Sequence, residues 1–218
     1  MKVKGERLER VFIYGAGGAG RELAMSLMEM ESNYIVEGFI DDNYDPGLVI
    51  NGVEVKGGFD WIMQNGGNVI MCVVGNPHKK ESIVERLKAN PDIKFPVVIA
   101  PGSVISKYIE WGEGCLVSLP FNHITVNIKI GRFVHINSDN MIGHDVEVGD
   151  FTTIYSSINI GGGVKIGSHC VIGSGTVINP DIKIGNDVIV GAGSVVIRDI
   201  PNNVVIAGVP AKVIKENK

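Results

Sequence analysis

Aromatic side chains are scarce in this chain: phenylalanine, tryptophan and tyrosine make up 6% of 218 residues, whereas 44% of the residues are hydrophobic. The core must therefore be mainly aliphatic, and this aliphatic content excludes a disordered chain. Positive charge is not in excess either, because the net charge is −4 and no basic stripe stands out. We therefore expect no surface for nucleic acid or for an anionic membrane.

Long hydrophobic runs and paired cysteines are also missing. No apolar run approaches the roughly 18 to 20 residues that cross a bilayer, and the N-terminal residues lack the features of a signal peptide. The three cysteines, Cys72, Cys115 and Cys170, lie far apart without metal-ligand spacing, which predicts buried free thiols in a reducing compartment. The sequence thus predicts a cytoplasmic protein without a membrane span or a metal site.

Glycine is the residue in excess, with 29 of 218 positions, nearly twice the ordinary share of about 7%. In the first part of the chain, glycines separate apolar runs at 11–14, 34–40 and 69–74 from helix-like stretches. Alternating strands and helices predict an α/β domain with a small parallel sheet over residues 1–96. The pattern then changes, so we assign residues 97–218 to a second domain.

The second domain repeats every six residues. Isoleucine or valine occupies thirteen consecutive positions at this spacing, from Ile124 to Val196, and glycine usually follows. We expect these glycines to take the left-handed backbone of a tight corner. The spacing continues upstream from Ile99 to Val117, one residue out of phase, which predicts an extra residue near Pro120. A period of six predicts a β-solenoid with three short faces and 18 residues per coil.

Four histidines of the repeat region are candidate bases for transferring an acyl group from a thioester to an amine or hydroxyl. They are His123, His135, His144 and His169. His144 stands out because Asp145 follows it, and a carboxylate that accepts a hydrogen bond from an imidazole fixes its tautomer and raises its basicity. A surface histidine without function is the alternative at this point.

The sequence resembles one family over both halves, the bacterial sugar acyltransferases that include sialic acid O-acetyltransferases and UDP-4-amino-sugar N-acetyltransferases. The resemblance is carried by residues 12–18, 38–43, 74–76, the coil of His144 and Asp145, and the closing segment 208–212. It implies a Rossmann-like α/β domain followed by a left-handed parallel β-helix. Such proteins usually form homotrimers with active sites between neighbouring chains.

The implied reaction is acetyl-CoA-dependent N-acetylation of a nucleotide-linked amino sugar in surface glycan biosynthesis. O-acetylation of sialic acid or a related sugar is the alternative within the family. The resemblance makes His144 the catalytic base and Asp145 its orienting acid. Gly162, one coil later, offers a backbone N–H to the oxyanion. Thr153 stands where some members carry a second histidine, and a threonine can hydrogen-bond there but cannot titrate.

The remaining site residues follow from the same resemblance. Coenzyme A is expected in the groove between two prisms, where Ala192 and Lys212 are candidates to contact it. The nucleotide or sugar of the acceptor is expected in a pocket of the α/β domain, with Asn137 of the solenoid nearby. The pocket residues are Gly15, Ala16, Gly17, Gly18, Asp41, Asp42, Gly75 and Asn76.

Three other functions compete with this prediction. The motif G-x-G-x-x-G from Gly15 to Gly20, with Asp41 about twenty residues later, is also typical of NAD-dependent oxidoreductases. Residues 1–96 are, however, too few for two mononucleotide-binding halves. A metal-dependent solenoid enzyme needs three converging histidines, which the spacing of the four candidates does not provide. A non-catalytic scaffold is the third alternative.

Overall fold

The first part of the chain alternates strands and helices, as the computed structural model of residues 8–73 and 75–217 describes it. Its elements are β1 (Glu9–Tyr14), α1 (Gly18–Glu29), β2 (Tyr34–Ile40), β3 (Val49–Ile50), β4 (Val53–Gly57), α2 (Phe59–Asn65), β5 (Gly67–Met71), α3 (Pro77–Leu87) and β6 (Ile93–Lys94). The strands form one sheet in the order β3-β4-β2-β1-β5-β6, and only the β3–β4 pair is antiparallel. This is a Rossmann-like arrangement with β1 between β2 and β5.

Most predicted elements of this part are present. The strands expected at 11–14 and 34–40 are β1 and β2, whereas the third expected strand, 69–74, ends at Met71. Val74, the last residue of that expected strand, lies outside the described residues. The β3–β4 hairpin and α2 are additional to the prediction. The hairpin turns at Asn51–Gly52, a residue pair that favours a two-residue turn.

The second part winds seventeen short strands into three parallel sheets. The strands are β7 (Val98–Ile99), β8 (Val104–Ile105), β9 (Ile109–Trp111), β10 (Leu116–Val117), β11 (His123–Ile124), β12 (Ile128–Ile130), β13 (His135–Ile136), β14 (Met141–Ile142), β15 (Glu147–Val148), β16 (Thr153–Ile154), β17 (Asn159–Ile160), β18 (Lys165–Ile166), β19 (Val171–Ile172), β20 (Val177–Ile178), β21 (Lys183–Ile184), β22 (Ile189–Val190) and β23 (Val195–Val196). Every third strand belongs to the same sheet. We name the sheets face A (β7 to β22), face B (β8 to β23) and face C (β9 to β21). A hairpin of β24 (Val204–Gly208) and β25 (Ala211–Glu216) extends face A.

The interior of this prism is the predicted aliphatic stack. All thirteen repeating isoleucines and valines are at most 4% exposed. Consecutive coils pair 18 residues apart, as Ile136 with Ile154, whereas Ile105 pairs with Ile124 after 19 residues. The extra residue lies at the predicted place, where Phe121 has a φ of 68°. The period of six and its phase change are therefore confirmed.

Where glycine follows a repeating residue, it has a different reason from the one predicted. Positive φ occurs two residues further on, for example at Phe133 (54°), Asp145 (59°) and His169 (57°). The following glycine is required instead by the close approach of the next coil. A Cβ on Gly143 would lie only 2.7 Å from the backbone nitrogen of Gly162. The prediction that these glycines adopt the left-handed backbone was therefore wrong.

Helix α3 attaches the α/β part to the corner between faces C and A. Phe133 and Phe151, one coil apart on this corner, stack with a centroid separation of 5.2 Å and share an apolar cluster with Leu87 of α3. The ammonium of Lys80, also in α3, is buried and donates to the carbonyl oxygen of Phe133 at 2.7 Å. Burial lowers the pKa of Lys80 to about 8. Apolar packing and a buried hydrogen bond thus contribute to holding the two parts together.

His135 lies beneath this junction and does not face solvent, contrary to its inclusion among the candidate bases. Its side chain is on the outer side of face A, where the neighbouring Leu116 packs against the α/β part, and the residue is 3% exposed. Nε2 lies 2.7 Å from the hydroxyl of Ser118, while Nδ1 has no partner among the described residues. Burial, with a smaller contribution from Lys80, lowers the pKa of His135 to about 3. A neutral imidazole sealed in this way is a packing residue.

The thiols and helices agree with the sequence analysis. Cys72, Cys115 and Cys170 are free and buried, and burial raises the pKa of the Cys72 thiol to about 12. In the part of the chain that the structure describes, no helix is both long and apolar enough to cross a membrane.

The burial of His135 predicts a loss of stability in mild acid. In the unfolded chain this imidazole binds a proton below its ordinary pKa of about 6.5, whereas in the fold it stays neutral down to about 3. The unfolded state therefore binds more protons in this window, and the free energy of unfolding falls as the pH falls. We expect the Tm of H135Q to fall less than that of the unsubstituted chain when the pH is lowered from about 6.5 to about 4.

Thermal melts of both proteins across this pH range test the prediction. K129Q is the control, because Lys129 is exposed on face C and its replacement should leave the slope of Tm against pH unchanged. Equal slopes for H135Q and the unsubstituted chain would contradict the assignment.

Candidate active site

His144 lies on the corner between faces B and C, where the chain turns from β14 into β15. Its side chain is 68% exposed, and its Nδ1 lies 2.7 Å from Oδ2 of Asp145. Asp145 occupies the left-handed corner position, with φ 59°, which a short aspartate tolerates. The predicted pair is therefore in direct contact. With Nδ1 donating to the carboxylate, Nε2 is left as the proton acceptor.

Asn127 is a further member of this group that the sequence analysis did not identify. It lies one coil before Asp145, and its Nδ2 donates to Oδ1 of that carboxylate at 3.2 Å. The hydrogen bonds from His144 and then from Asn127 hold the pKa of Asp145 below its ordinary value. The 18-residue period is the signal that finds this residue, because subtracting one coil from 145 gives 127.

Gly162 lies directly above His144, as the period predicts. A Cβ built on Gly162 would be 2.6 Å from both Nε2 and Cε1 of the imidazole. Only a residue without a side chain leaves the ring in its present position. Among the described backbone hydrogen bonds of this corner, the N–H groups of Gly161 and Gly163 are donors and that of Gly162 is not. The structure thus brings His144, Asp145 and Gly162 together.

The glycine loop of the α/β part follows β1, and Asp41 and Asp42 follow β2 at the same edge of the sheet. The Asp41 carboxylate accepts from the N–H of Ala16 at 2.8 Å and from Asn43 at 2.8 Å. Asp42 accepts from the N–H of Phe59 at 2.8 Å. Both carboxylates therefore hold the loops of this edge together. An Asp41 engaged in this way gives no support to the NAD alternative, in which it holds ribose hydroxyls.

The glycines of this loop have two separate functions. A Cβ on Gly20 would lie 1.9 Å from the carbonyl oxygen of Gly15, so this glycine lets α1 pack closely on β1. At Gly17 and Gly18, by contrast, a Cβ would meet nothing within 4 Å. The first turn of α1 therefore presents open backbone N–H groups, a favourable environment for a negatively charged group.

The loop before α3 connects this edge to the β-helix. Asn76 caps α3 by accepting from the N–H of Lys79 at 2.9 Å. A Cβ on Gly75 would lie 3.9 Å from the hydroxyl of Tyr155, which is on the corner between faces A and B. Asn137 lies one coil below Tyr155 on that corner, and its Oδ1 accepts from the N–H of Ser138 at 3.0 Å. The structure thus places Asn137 on the same side as the α/β loops.

The predicted residues are not all brought together within one chain. His144 is on the corner between faces B and C, whereas Asn137 and Ala192 are on the corner between faces A and B. Lys212 belongs to β25, where it pairs with Ala207 at the end of face A. Thr153 is buried on face A in register with His135. A single chain therefore contains two separate groups of candidate residues.

An α/β domain followed by a β-helix of hexapeptide repeats, with a His–Asp pair on one corner, defines the class of bacterial hexapeptide transferases. Comparison with known proteins agrees with this class. The family model described as "PglD N-terminal domain" matches residues 10–87. The model described as "Bacterial transferase hexapeptide (six repeats)" matches residues 163–198.

Individual relatives define the family more closely. GDP-perosamine N-acetyltransferase of Escherichia coli O157:H7 is 31% identical over 151 residues, and the match spans 61% of each protein. The crystal structure of PerB from Caulobacter crescentus with CoA and GDP-perosamine is 27% identical, with 94% of this chain and 97% of that chain covered and a TM-score of 0.84. The acetyltransferase domain of PglB from Neisseria gonorrhoeae is 27% identical. The match covers 94% of this chain and 100% of that chain, with a TM-score of 0.85.

Both parts of the chain are therefore similar to bacterial sugar acyltransferases that have a PglD-type N-terminal domain and a hexapeptide-repeat β-helix. The predicted fold class, an α/β Rossmann-like domain followed by a left-handed parallel β-helix, is confirmed. The alignment to the curated E. coli relative covers less than two thirds of that protein's length.

The contact between Gly162 and the imidazole predicts that G162A displaces His144. The new methyl group occupies the space of Nε2 and Cε1, so the ring must rotate away and lose its bond to Asp145. The backbone should not change, because φ at Gly162 is not positive. A crystal structure of the variant is expected to show Nδ1 beyond hydrogen-bond distance of the carboxylate. An imidazole that keeps its position would disprove the close contact.

The contact between Asn127 and Asp145 predicts that N127G raises the pKa of Asp145 toward its ordinary value. Glycine removes the donor yet accepts the positive φ of 58° at this position, and the bond from His144 keeps part of the shift. Carboxyl-carbon NMR titration measures the change. N51G, at the exposed β3–β4 turn with φ 49°, is the matched control with no expected effect. An unchanged pKa of Asp145 in N127G would show that Asn127 does not stabilise the ionised carboxylate.

Proposed function

We propose that the protein transfers the acetyl group of acetyl-CoA to the amino group of a nucleotide-linked amino sugar. The observation that carries the proposal is the His144–Asp145 pair, held by Asn127 and packed over the bare backbone of Gly162. The relatives support the same chemistry, since PerB binds CoA and GDP-perosamine. It has also been crystallised with one histidine replaced by asparagine or alanine.

The proposed reaction uses these groups in one order. The amine nitrogen of the sugar attacks the thioester carbonyl carbon, and Nε2 of His144 takes a proton from that nitrogen. The ionised Asp145 stabilises the imidazolium that forms. A backbone N–H, proposed to be that of Gly162, stabilises the negative oxygen of the tetrahedral intermediate. The carbon–sulfur bond then breaks, and His144 returns the proton to the sulfur of coenzyme A.

The acceptor nucleotide is proposed to bind at the edge of the α/β sheet. Gly17 and Gly18 leave the N-terminus of α1 open, and this helix has no side-chain cap. A diphosphate fits such a terminus, because unpaired N–H groups and the helix dipole favour negative charge. Asp41, Asp42, Gly75 and Asn76 shape the surrounding loops, as their hydrogen bonds indicate. Asn137 is proposed to contact the sugar on the adjoining corner.

Coenzyme A is proposed to bind along the groove between two prisms. Ala192 lies on the corner between faces A and B, and its small side chain leaves room for a pantetheine chain near the backbone. Lys212, in the terminal hairpin, supplies a positive charge for the phosphate groups. No metal takes part in this proposed reaction.

A homotrimer is proposed because the two groups of candidate residues lie on different corners of one chain. Packing prisms side by side can place His144 of one copy against the corner of Asn137 and Ala192 in the next. Face B supports such packing, since its outward residues include Val104, Met141 and Val177, which are 66%, 42% and 39% exposed. The outward residues of face C are charged instead: Glu110, Lys129, Glu147, Lys165 and Lys183.

We further propose that the enzyme works in the cytoplasm and supplies surface glycan biosynthesis. The three buried, unpaired thiols fit a reducing compartment. An N-acetylated nucleotide sugar is an activated donor, and the reaction that must consume it is a glycosyl transfer.

Substituting His144 tests the proposal. H144A is expected to lower acetyl transfer by roughly 10²- to 10⁴-fold, the usual contribution of a general base, while acetyl-CoA binding measured by calorimetry changes little. H78A is the matched control, because His78 is an exposed histidine on α3 outside the proposed site, and it should retain full activity.

The acceptor is tested with purified protein and acetyl-CoA against GDP-, UDP- and dTDP-linked amino sugars and free sialic acid. Mass spectrometry of the product is expected to show one added acetyl group on the amine of a nucleotide sugar. Acetylation of sialic acid alone would replace the N-acetyl proposal by the O-acetyl alternative. Full turnover by H144A with the best acceptor would refute the assignment of the base.

A further inference from the structure

A second cluster of ionisable side chains lies where α3 crosses the corner between faces C and A, apart from His144. His78 and Glu81 come from α3, whereas His169 and Asp187 come from successive coils of the β-helix. Nε2 of His78 is 2.6 Å from Oδ1 of Asp187, and Nε2 of His169 is 2.9 Å from Oε2 of Glu81. Four potential metal ligands therefore meet at the junction of the two parts.

The convergence follows from the periods of the two elements. His78 and Glu81 are three residues apart and so share one face of the helix. His169 and Asp187 are one coil apart and so share one corner of the prism. Each of His78, Glu81 and His169 offers one ligand atom, and these atoms all lie within 4.8 Å of one another.

The surrounding packing restrains the two imidazoles. The rings of His78 and His169 are stacked, with centroids 4.5 Å apart and planes 4° from parallel. Phe151 covers the other side of His169 at 5.6 Å, and the His169 side chain is only 18% exposed. His78 is on the open side, with 64% of its side chain exposed. One ligand is thus fixed by packing and the other can adjust.

We propose that His78, Glu81 and His169 bind a divalent transition metal ion, with Zn²⁺ as the best fit and Asp187 as fourth ligand. Neutral imidazoles and carboxylates in a set of four suit tetrahedral Zn²⁺. The two carboxylates also balance the charge of the ion. This site is independent of the acetyl transfer proposed above, and none of its ligands belongs to that machinery.

Binding requires the side chains to rearrange. Zn–N and Zn–O bonds of about 2.0–2.2 Å place tetrahedral ligand atoms about 3.3–3.5 Å apart. The two histidine–carboxylate separations, 2.6 and 2.9 Å, must therefore widen by about 0.4 to 0.9 Å, and the parallel imidazole rings must turn out of their stack. The two imidazole nitrogens must approach each other, which a tilt of the exposed His78 ring achieves. The ion replaces the protons of both hydrogen bonds and leaves the backbone in place.

The consequence is a cross-link between the α/β part and the β-helix. The ion adds to the contact between Lys80 and Phe133 at the same junction. Its effect is on the stability of that junction.

The test uses full-length protein stripped with a chelator and titrated with ZnCl₂, followed by calorimetry and thermal melts. We expect one saturable site per chain and a rise in Tm of about 5 °C or more when free Zn²⁺ exceeds its Kd a hundredfold. Co²⁺ in place of Zn²⁺ should give the visible absorption bands of tetrahedral nitrogen and oxygen ligands. These bands report on the ligands directly and do not depend on enzyme activity.

H78Q and H169Q are expected to lose both the bound ion and the rise in Tm. H78Q keeps the test valid if H169Q folds poorly, because His78 is largely exposed. Without metal, the Tm of H78Q should match that of the unsubstituted chain. H123Q and H144Q should bind as the unsubstituted chain does. Absence of saturable binding, or unchanged Zn²⁺ affinity in H78Q and H169Q, would overturn the proposal.

Discussion

The stacking of one coil on the next is the constraint on which the rest of the structure depends. Parallel strands of two or three residues are stable only when each pairs above and below, about 4.8 Å apart, so every coil must have nearly the same path. An interior of this width accepts branched aliphatic side chains and excludes most rings. It also requires glycine after many of the repeating residues, as at Gly143, where the next coil leaves no space for a Cβ.

The same stacking determines which side chains can act together. Residues one coil apart lie directly above one another, and this relation joins Asn127 to Asp145, His144 to Gly162, and Phe133 to Phe151. A chemical group on a corner is therefore assembled by the period of the chain. The period allowed Gly162 to be predicted. The same period would have identified Asn127, which the sequence analysis did not name.

The sequence did not predict features that depend on which surface covers which. His135 has the pattern of an outward residue, and it is buried because the α/β part packs against face A. The buried hydrogen bond of this junction, from Lys80 to Phe133, spans 53 residues. The contact between His78 and Asp187 spans 109 residues, which no local pattern encodes. The sequence also did not reveal why glycine occupies the corners. Glycine suits both a positive φ and the close approach of a neighbouring coil, and composition alone does not distinguish these two reasons.

The exposure of His144 links the proposed chemistry to assembly. A general base and an oxyanion donor act far more strongly where water is excluded, yet 68% of this imidazole is open to solvent in one chain. Its own α/β part cannot cover it, because α3 is attached at the corner between faces C and A. One of the two faces beside His144 is face B, whose outward residues include the apolar Val104, Met141 and Val177, whereas the outward residues of face C are mainly charged. Burial of face B against a second copy would exclude water from the corner and supply the missing residues in the same step.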